Sequence, residues 1–307
     1  MQNNTATSNT IICQHNPTMS DADITRILEN ALGKPIAITT RRRVGGGCIH
    51  HAERITTTIG DIFIKHNAAH HGENFQAEAD GLQTLANTKT LRTPKCLAAS
   101  TSDHEACLIL EWIDSKPKRA DFWEHFGEAL AHLHQHTNSH FGYKRDNFIG
   151  ALPQRNKAHA NWCDFFREER LFPMLRLAAE KRVLLPDEVR RVERVFPKLE
   201  ALIPNEPPAL LHGDLWSGNF LVDERGLPVV IDPAVYFGHR EAELAFMHLF
   251  GGFDKRLFEA YHQVFPLEKR WRERIEVFNL YPLLVHVNLF GRSYWQEIET
   301  TLKKFGV

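Results

Sequence analysis

The stretch that most limits what this chain can fold into is His212-Gly213-Asp214-Leu215-Trp216-Ser217-Gly218-Asn219, followed by Val229-Val230-Ile231-Asp232-Pro233. One Asp is followed five residues later by an Asn, and a second Asp stands 13 residues beyond that, at the end of an apolar β-branched run. Short polar residues between glycines read as a loop, and the β-branched run reads as a strand ending on a carboxylate. For this set to act together, Asp214, Asn219 and Asp232 have to converge across one gap. Other chemistries fail at particular residues. A G-x-S-x-G hydrolase elbow around Ser217 needs glycine where Leu215 and Asn219 stand. A zinc-binding H-E-x-x-H helix starting at His104-Glu105 needs histidine where Leu108 stands.

Phosphoryl transfer from ATP uses this trio: a carboxylate that orients and deprotonates a hydroxyl, and an amide oxygen plus a second carboxylate that hold Mg²⁺. The spacing matches H-x-D-x-x-x-x-N and the later metal-binding Asp of kinase-like enzymes. In this reading Asp214 is the general base, and Asn219 and Asp232 are the metal ligands, since oxygen donors suit a hard cation. His212 is expected to stabilise the loop backbone without a proton-transfer role.

Upstream, the chain reads as a helix over 23–32 and a strand over 36–43. A turn at Gly45-Gly46-Gly47 leads to a strand over 48–58, and a tight turn at Gly60-Asp61 leads to a strand over 62–65. A helix over 74–87 and strands over 94–99 and 106–113 complete a five-stranded antiparallel sheet with one helix inserted after its third strand. From 121 onward the pattern turns helical, over 122–136, 163–182 and 187–202, then in segments from 240, 255, 271 and 291. Short strands near 219–222 and 229–231 interrupt it. The expected class is α+β: a flexible leader over 1–20, a small antiparallel-sheet N-lobe over 21–114 and a larger, mainly helical C-lobe over 115–307. An ATP cleft lies between the lobes, with 114–118 as the hinge exit. Ser20-Asp21-Ala22-Asp23 looks like a helix start, so Met19 is a candidate alternative start.

Three features on the N-lobe side would handle ATP. Gly45, Gly46 and Gly47 permit close backbone approach to phosphates, although three glycines in a hairpin also read as a plain turn, and the segment does not fit G-x-G-x-x-G because His50 stands at the last glycine. Lys65 ends an Ile-Phe-Ile strand and could reach the α- and β-phosphates, with Glu78 on the following helix as its partner and Glu73 as a competitor. The apolar strand 108–113 leads to the hinge, where backbone groups of Glu111, Trp112, Ile113 and Asp114 could meet the adenine edge. His132 and His136 share a helix face and could bridge a metal; a solvated helical face is the competing reading.

Several stretches carry a family likeness. The loop 212–219 and Ile231-Asp232-Pro233-Ala234 resemble the fructosamine-3-kinase (ketosamine-3-kinase) family. So do Gly45-Gly46-Gly47-Cys48-Ile49, Asn147-Phe148-Ile149-Gly150, Pro153-Gln154-x-Asn156, Trp162 with Phe165-Phe166, Gly238-His239-Arg240-Glu241, 249–253, and 281–284 with 288–291. The likeness covers roughly residues 22 to 300. It implies a protein-kinase-like two-lobed fold, ATP and Mg²⁺ as cofactors, and phosphorylation of the sugar 3-hydroxyl of small-molecule or protein-bound ketoamines, a step linked to deglycation repair. It also implies that Asp214 is the proton acceptor and that 111–114 touches adenine. Trp216 offers a flat face for a sugar ring or simply packs the loop. Two positions depart from the family pattern: 157–160 lacks a further Trp, and Glu243 stands where a shorter Asp is usual.

The remaining readings narrow the setting. A formal net charge of −1 gives no basic footprint for nucleic acid, and no apolar run approaches the length of a membrane span. Five scattered cysteines with no C-x-x-C pair favour a reducing cytoplasm. A monomer is expected, with a redox-linked dimer through Cys48 as a further possibility. The competing functions are an aminoglycoside- or choline-type phosphotransferase and a nucleotide-binding pseudokinase. The pseudokinase would be marked by loss of Lys65, Asp214, Asn219 or Asp232, and all four are present.

Overall fold

The computed structural model describes residues 19–45 and 50–307. Residues 1–18 of the leader expected over 1–20, and the loop positions Gly46, Gly47 and Cys48, lie outside the described residues; Met19 and Ser20 belong to the folded lobe, Met19 buried in its core and Ser20 capping its first helix. Helix α1 (Asp21–Leu32) starts where the Ser20 side chain accepts the Asp23 amide and stops at Gly33 in the left-handed conformation. Strands β1 (Ile38–Arg43), β2 (His51–Thr57) and β3 (Gly60–Ala68) form an antiparallel meander. Helix α2 (Gly72–Thr88) follows, then β4 (Cys96–Thr101) and β5 (Glu105–Glu111), closing a five-stranded sheet of order β1-β2-β3-β5-β4. The insertion of α2 after the third strand matches the sequence reading. Strand β3 runs three residues past Lys65 because its partner β5 continues to Ala106 and Glu105.

Two-residue alternation explains why this sheet carries apolar runs. Ile62, Ile64, Cys107 and Ile109 face α1, where they pack with Ile24, Leu28 and Met19. Ala106, Leu108 and Leu110 face α2 and pack with Phe75 and Leu82, and Phe63 lies on the same side. Both faces are therefore covered, so β5 is nearly continuous in apolar residues. The same parity places Lys65, paired with Leu108, on the α2 face.

The C-lobe begins with α3 (Phe122–His134) and a hairpin of β6 (Asn147–Ile149) and β7 (Leu152–Gln154). The long helix expected over 163–182 is instead α4 (Trp162–Phe165), a wider π turn (Phe166–Leu171) and α5 (Phe172–Glu180). At this widening the fully buried Arg170 lies over the Phe165, Tyr236 and Tyr281 rings and donates to the Asn156 side-chain Oδ1 at 2.8 Å. The helix expected over 187–202 breaks around Pro197 into α6 (Pro186–Glu193) and α7 (Leu199–Leu202). Strands β8 (Ala209–Leu211), β9 (Phe220–Val222), β10 (Pro228–Val230) and β11 (Tyr236–Gly238) follow. Helices α8 (Arg240–Phe250), α9 (Lys255–Val264), α10 (Ile275–Phe278), α11 (Leu280–Phe290) and α12 (Trp295–Lys304) complete the lobe. Helices α3 and α9 cross so closely that a Cβ on Gly127 would stand 2.1 Å from the Leu257 carbonyl. Among the described residues no helix is long and apolar enough to cross a membrane.

The lobes are joined behind the cleft by Arg92. Its carbonyl accepts the Val230 amide at 2.9 Å, and its guanidinium reaches Asp223 and Glu224, both at 2.9 Å. Asp223 is fully buried and also accepts the Arg225 and Leu227 amides. Burial pushes its carboxyl up, but those amides with Arg225 and Arg92 outweigh burial and hold it down at about 2. An Asp223→Asn variant is expected to lose about 2–4 kcal/mol of unfolding free energy. A carboxylate with a depressed folded pKa contributes fully above its unfolded value, so the deficit should be constant above pH ~4 and narrow as pH falls toward 2. Urea unfolding of both proteins across that range checks the magnitude and the sign.

Candidate active site

The two loops that carry the motif cross one another. The first, 212–219, leaves β8 and enters β9; the second, 231–235, leaves β10 and enters β11. The Ile231 amide donates to the Asn219 carbonyl at 3.0 Å and the Ala234 amide to the His212 carbonyl at 2.9 Å. Gly213, at φ 85°, is required at the crossing: a Cβ there would stand 2.0 Å from the Ala234 carbonyl oxygen. Gly218 is required for a different reason, since a Cβ would meet the Trp216 ring at 2.2 Å. Trp216 therefore packs over its own loop and still leaves 41% of its surface exposed.

These crossings bring the trio together. The Asn219 amide nitrogen donates to the Asp214 carboxylate at 2.9 Å and to the Asp214 carbonyl at 2.8 Å, which turns its Oδ1 away from Asp214. Asp232 adopts the left-handed conformation at φ 55°, one that Asp tolerates better than most residues. Its carboxylate is within 2.5 Å of the Lys65 ammonium, which also bonds Glu78 at 2.8 Å. Helix α2 reaches this point because Gly81, one turn after Glu78, lies against Pro233, where an added Cβ would be 3.1 Å from the ring. The partner of Lys65 is thus Glu78, and Glu73 is not involved.

Electrostatics follow from this crowding. Burial would pull the Lys65 ammonium down, but Glu78 and Asp232 outweigh it and raise it above the ordinary lysine value. Burial and the Asp232 charge push Glu78 up to about 7 against the opposing pull of Lys65. Asp214 is raised well above the usual carboxylate range, mainly by burial and then by the Asp232 charge. Beside the strand that follows the Gly turn, His50 packs on Phe75 with ring centroids 4.7 Å apart, and burial followed by the Lys65 charge lowers it to about 4, so it is neutral near pH 7.

His212 is fully buried. Its Nε2 donates to the Ile231 carbonyl at 2.9 Å and its Nδ1 accepts the Asp214 amide at 3.3 Å. Burial lowers its pKa and keeps it neutral, the state in which one nitrogen donates and the other accepts. Glu243 supplies a support that the sequence marked only as a departure. One of its oxygens accepts the Gly213 amide at 2.6 Å, and the other accepts the His212 amide at 3.1 Å and His134 Nε2 at 2.9 Å. His134 Nδ1 in turn meets the Tyr261 hydroxyl at 2.8 Å. In the His132-x-His134-x-His136 run the buried middle histidine therefore holds the structural role; His132 and His136 are exposed.

The Asn-Gln-Asn motif residues brace the second loop. Asn147 donates to the Val235 carbonyl at 2.8 Å and Gln154 to the Ala234 carbonyl at 3.0 Å. Gln154 and Asn156 both donate to Asn147 Oδ1, and the Tyr281 hydroxyl donates to Gln154. At the expected adenine edge the Glu111 amide is already bonded to the Lys95 carbonyl at 2.9 Å. The Trp112 indole donates to Asp114 at 3.0 Å and lies under the Arg54 guanidinium. That leaves the backbone of 112–114 for a ligand. Of the glycine turn, Gly45 is exposed, with open space where a side chain would stand. On the C-lobe side of Asp214 opens a largely apolar pocket walled by Ile149, Tyr236, Phe246, Phe278, Tyr281 and His286.

The fructosamine kinase family model matches residues 20–306. A candidate ketoamine kinase of Synechocystis sp. is 39% identical over 92% of this chain and 95% of its own length. The chloroplastic protein-ribulosamine 3-kinase of Arabidopsis thaliana is 35% identical over 85% of this chain and 81% of its own. A crystal structure of a candidate fructosamine-3-kinase from Thermobifida fusca superposes with a TM-score of 0.82 at 36% identity, covering 91% of this chain and 97% of that one. A spectinomycin phosphotransferase, at 14% identity and TM-score 0.56 over 94% of both chains, shares the protein-kinase-like fold alone.

The Glu243 contacts generate a prediction. Glu243→Gln keeps the shape but replaces one accepting oxygen with a donor facing N–H groups. It is expected to lower kcat about a hundredfold by misplacing Asp214, with ATP affinity changed by less than about threefold. Steady-state kinetics with nucleotide titration separates this from general loss of structure, which would weaken both.

Proposed function

From the premise that this chain belongs to the fructosamine kinase family, we propose that it transfers the γ-phosphoryl group of ATP to the 3-hydroxyl of a ketosamine of the ribulosamine or fructosamine type. The observation that carries the reading is the convergence of Lys65, Glu78 and Asp232 from the two lobes on the gap beside Asp214 and Asn219. Asp214 accepts the proton of the sugar hydroxyl as that oxygen bonds to phosphorus, and the bond from phosphorus to the β,γ-bridging oxygen breaks to release ADP. The raised basicity of its buried carboxylate favours that role. Asn219 fixes the carboxylate through its amide nitrogen. Lys65, steadied by Glu78, would bind phosphate oxygens, and the backbone of 112–114 would bind the adenine edge. Trp216 presents an indole face beside Asp214 against which a sugar ring can stack.

The donor set fits Mg²⁺: Asn219 Oδ1 and the half-exposed Asp232 carboxylate are hard oxygen ligands within one crossing of loops. When bound there, the ion supplies charge neutralisation to the phosphates. All the named groups come from one chain, so a monomer suffices, and the scattered cysteines support a reducing, cytoplasmic setting. By chemical class, the phosphorylated product is the sugar-modified amine that a deglycating step consumes.

ATP consumption with fructoselysine, a ribulosamine, choline and kanamycin, followed by phosphorus NMR of the product, tests the reading. Turnover is expected only with the ketosamines and at the 3-oxygen; turnover only with choline or kanamycin would replace it. Asp214→Asn should cut kcat about 10²–10⁴-fold while ATP still binds. Asp232→Ala should instead weaken Mg²⁺-dependent ATP binding, read by nucleotide titration with and without the metal.

A further inference from the structure

Five large hydrophobic side chains among the described residues stand well out in solvent: Leu185, Trp216, Leu221, Phe250 and Phe290. Single exposed apolar residues need no explanation, but a cluster of them does. Three of the five gather at one place. Trp216 is two residues from Asp214. Phe250, 39% exposed, ends α8 with its ring 5.6 Å from Phe246 and 4.8 Å from His286, both of which wall the pocket that contains Asp214. Phe290, 62% exposed at the end of α11, lies 5.5 Å from the same His286 ring. The chain just after Phe250 lies against the loop of Trp216: a Cβ on Gly252 would stand 2.5 Å from the Ser217 Cβ.

The aromatic surface is therefore continuous with the pocket in which the acceptor hydroxyl meets its base. Its chemistry also points to one part of the acceptor. The charged groups in the pocket wall are two carboxylates, Asp214 and Glu243; no lysine or arginine lines it, and burial lowers the pKa of His286. A ketosamine has two unlike ends: a polyhydroxylated sugar and a secondary amine that is protonated near neutral pH. Aromatic faces attract an ammonium group and the carbon chain beside it, and offer a sugar's outward hydroxyls little.

We propose that Phe250, His286 and Phe290 form a subsite for the amine-borne part of the ketosamine, selecting apolar or aromatic amine substituents next to the protonated nitrogen. This rests on the ketosamine reading of the site. The test uses the full chain with ATP and two synthetic ketosamines of the same sugar, 1-deoxy-1-methylamino-ribulose and 1-deoxy-1-(2-phenylethylamino)-ribulose. Wild type is expected to favour the phenylethyl compound roughly tenfold in kcat/KM, chiefly through KM. Phe290→Ala and Phe250→Ala should bring that ratio close to one, Phe290→Trp should keep it, and Leu185→Ala, on an exposed apolar residue outside the subsite, should leave it as in wild type. A wild-type ratio near one, or a ratio that survives both alanine variants, overturns the subsite while the kinase reading stands. No phosphorylation of either compound or of their fructose counterparts removes the kinase reading and the subsite with it.

Discussion

The site depends on a single ammonium group. Lys65 is delivered from the sheet of one lobe, Asp232 from a loop of the other, and Glu78 from the helix between them, and the three meet within hydrogen-bond distance. Two carboxylates close together, one of them largely buried, would repel each other; the cation between them makes the arrangement possible. One ammonium thus answers two carboxylates inside the protein before any phosphate arrives. In the proposed reaction, phosphates bound at Lys65 would compete with Asp232 for the same ammonium, and a bound divalent cation would offset the charge of the freed carboxylate.

The rest of the C-lobe site keeps two short loops in register. Neither loop has enough regular structure to hold itself. Their shape is imposed from outside by side chains that accept or donate at their peptide groups: Glu243 on the first loop, Asn147 and Gln154 on the second. The glycine at their crossing leaves no room for a side chain, so the loops are locked by contact as well as by bonding. Buried polar groups with every partner in place favour one geometry over its near alternatives, and that precision is what an in-line transfer requires.

Much of this was legible beforehand because the signals were periodic or tightly spaced. Strand-forming runs between turn residues gave the five strands, helical spacing gave α2, and the Asp-Asn-Asp spacing picked out side chains that the fold does bring together. What stayed hidden involved partners far apart in sequence. His134 sits 109 residues from the glutamate it bonds and looked like one histidine among three on a helix. The longer side chain of Glu243 was noticed as an oddity, yet nothing local told that it reaches two loop amides. The paired strands β8 and β11 are three residues each, too short for a repeating pattern. The break near Arg170 was missed because a helical apolar pattern continues straight through the wider turn. The Asn147, Gln154 and Asn156 amides were visible as a likeness, but their task emerged only once the loop they brace was beside them.

The pairing of Arg92 with Val230 carries a mechanical consequence. A backbone bond and a fan of charge contacts fasten the two halves along one line, so sliding one past the other would tear out several buried partners at once. The lobes are held there as the boards of a book are held at its spine.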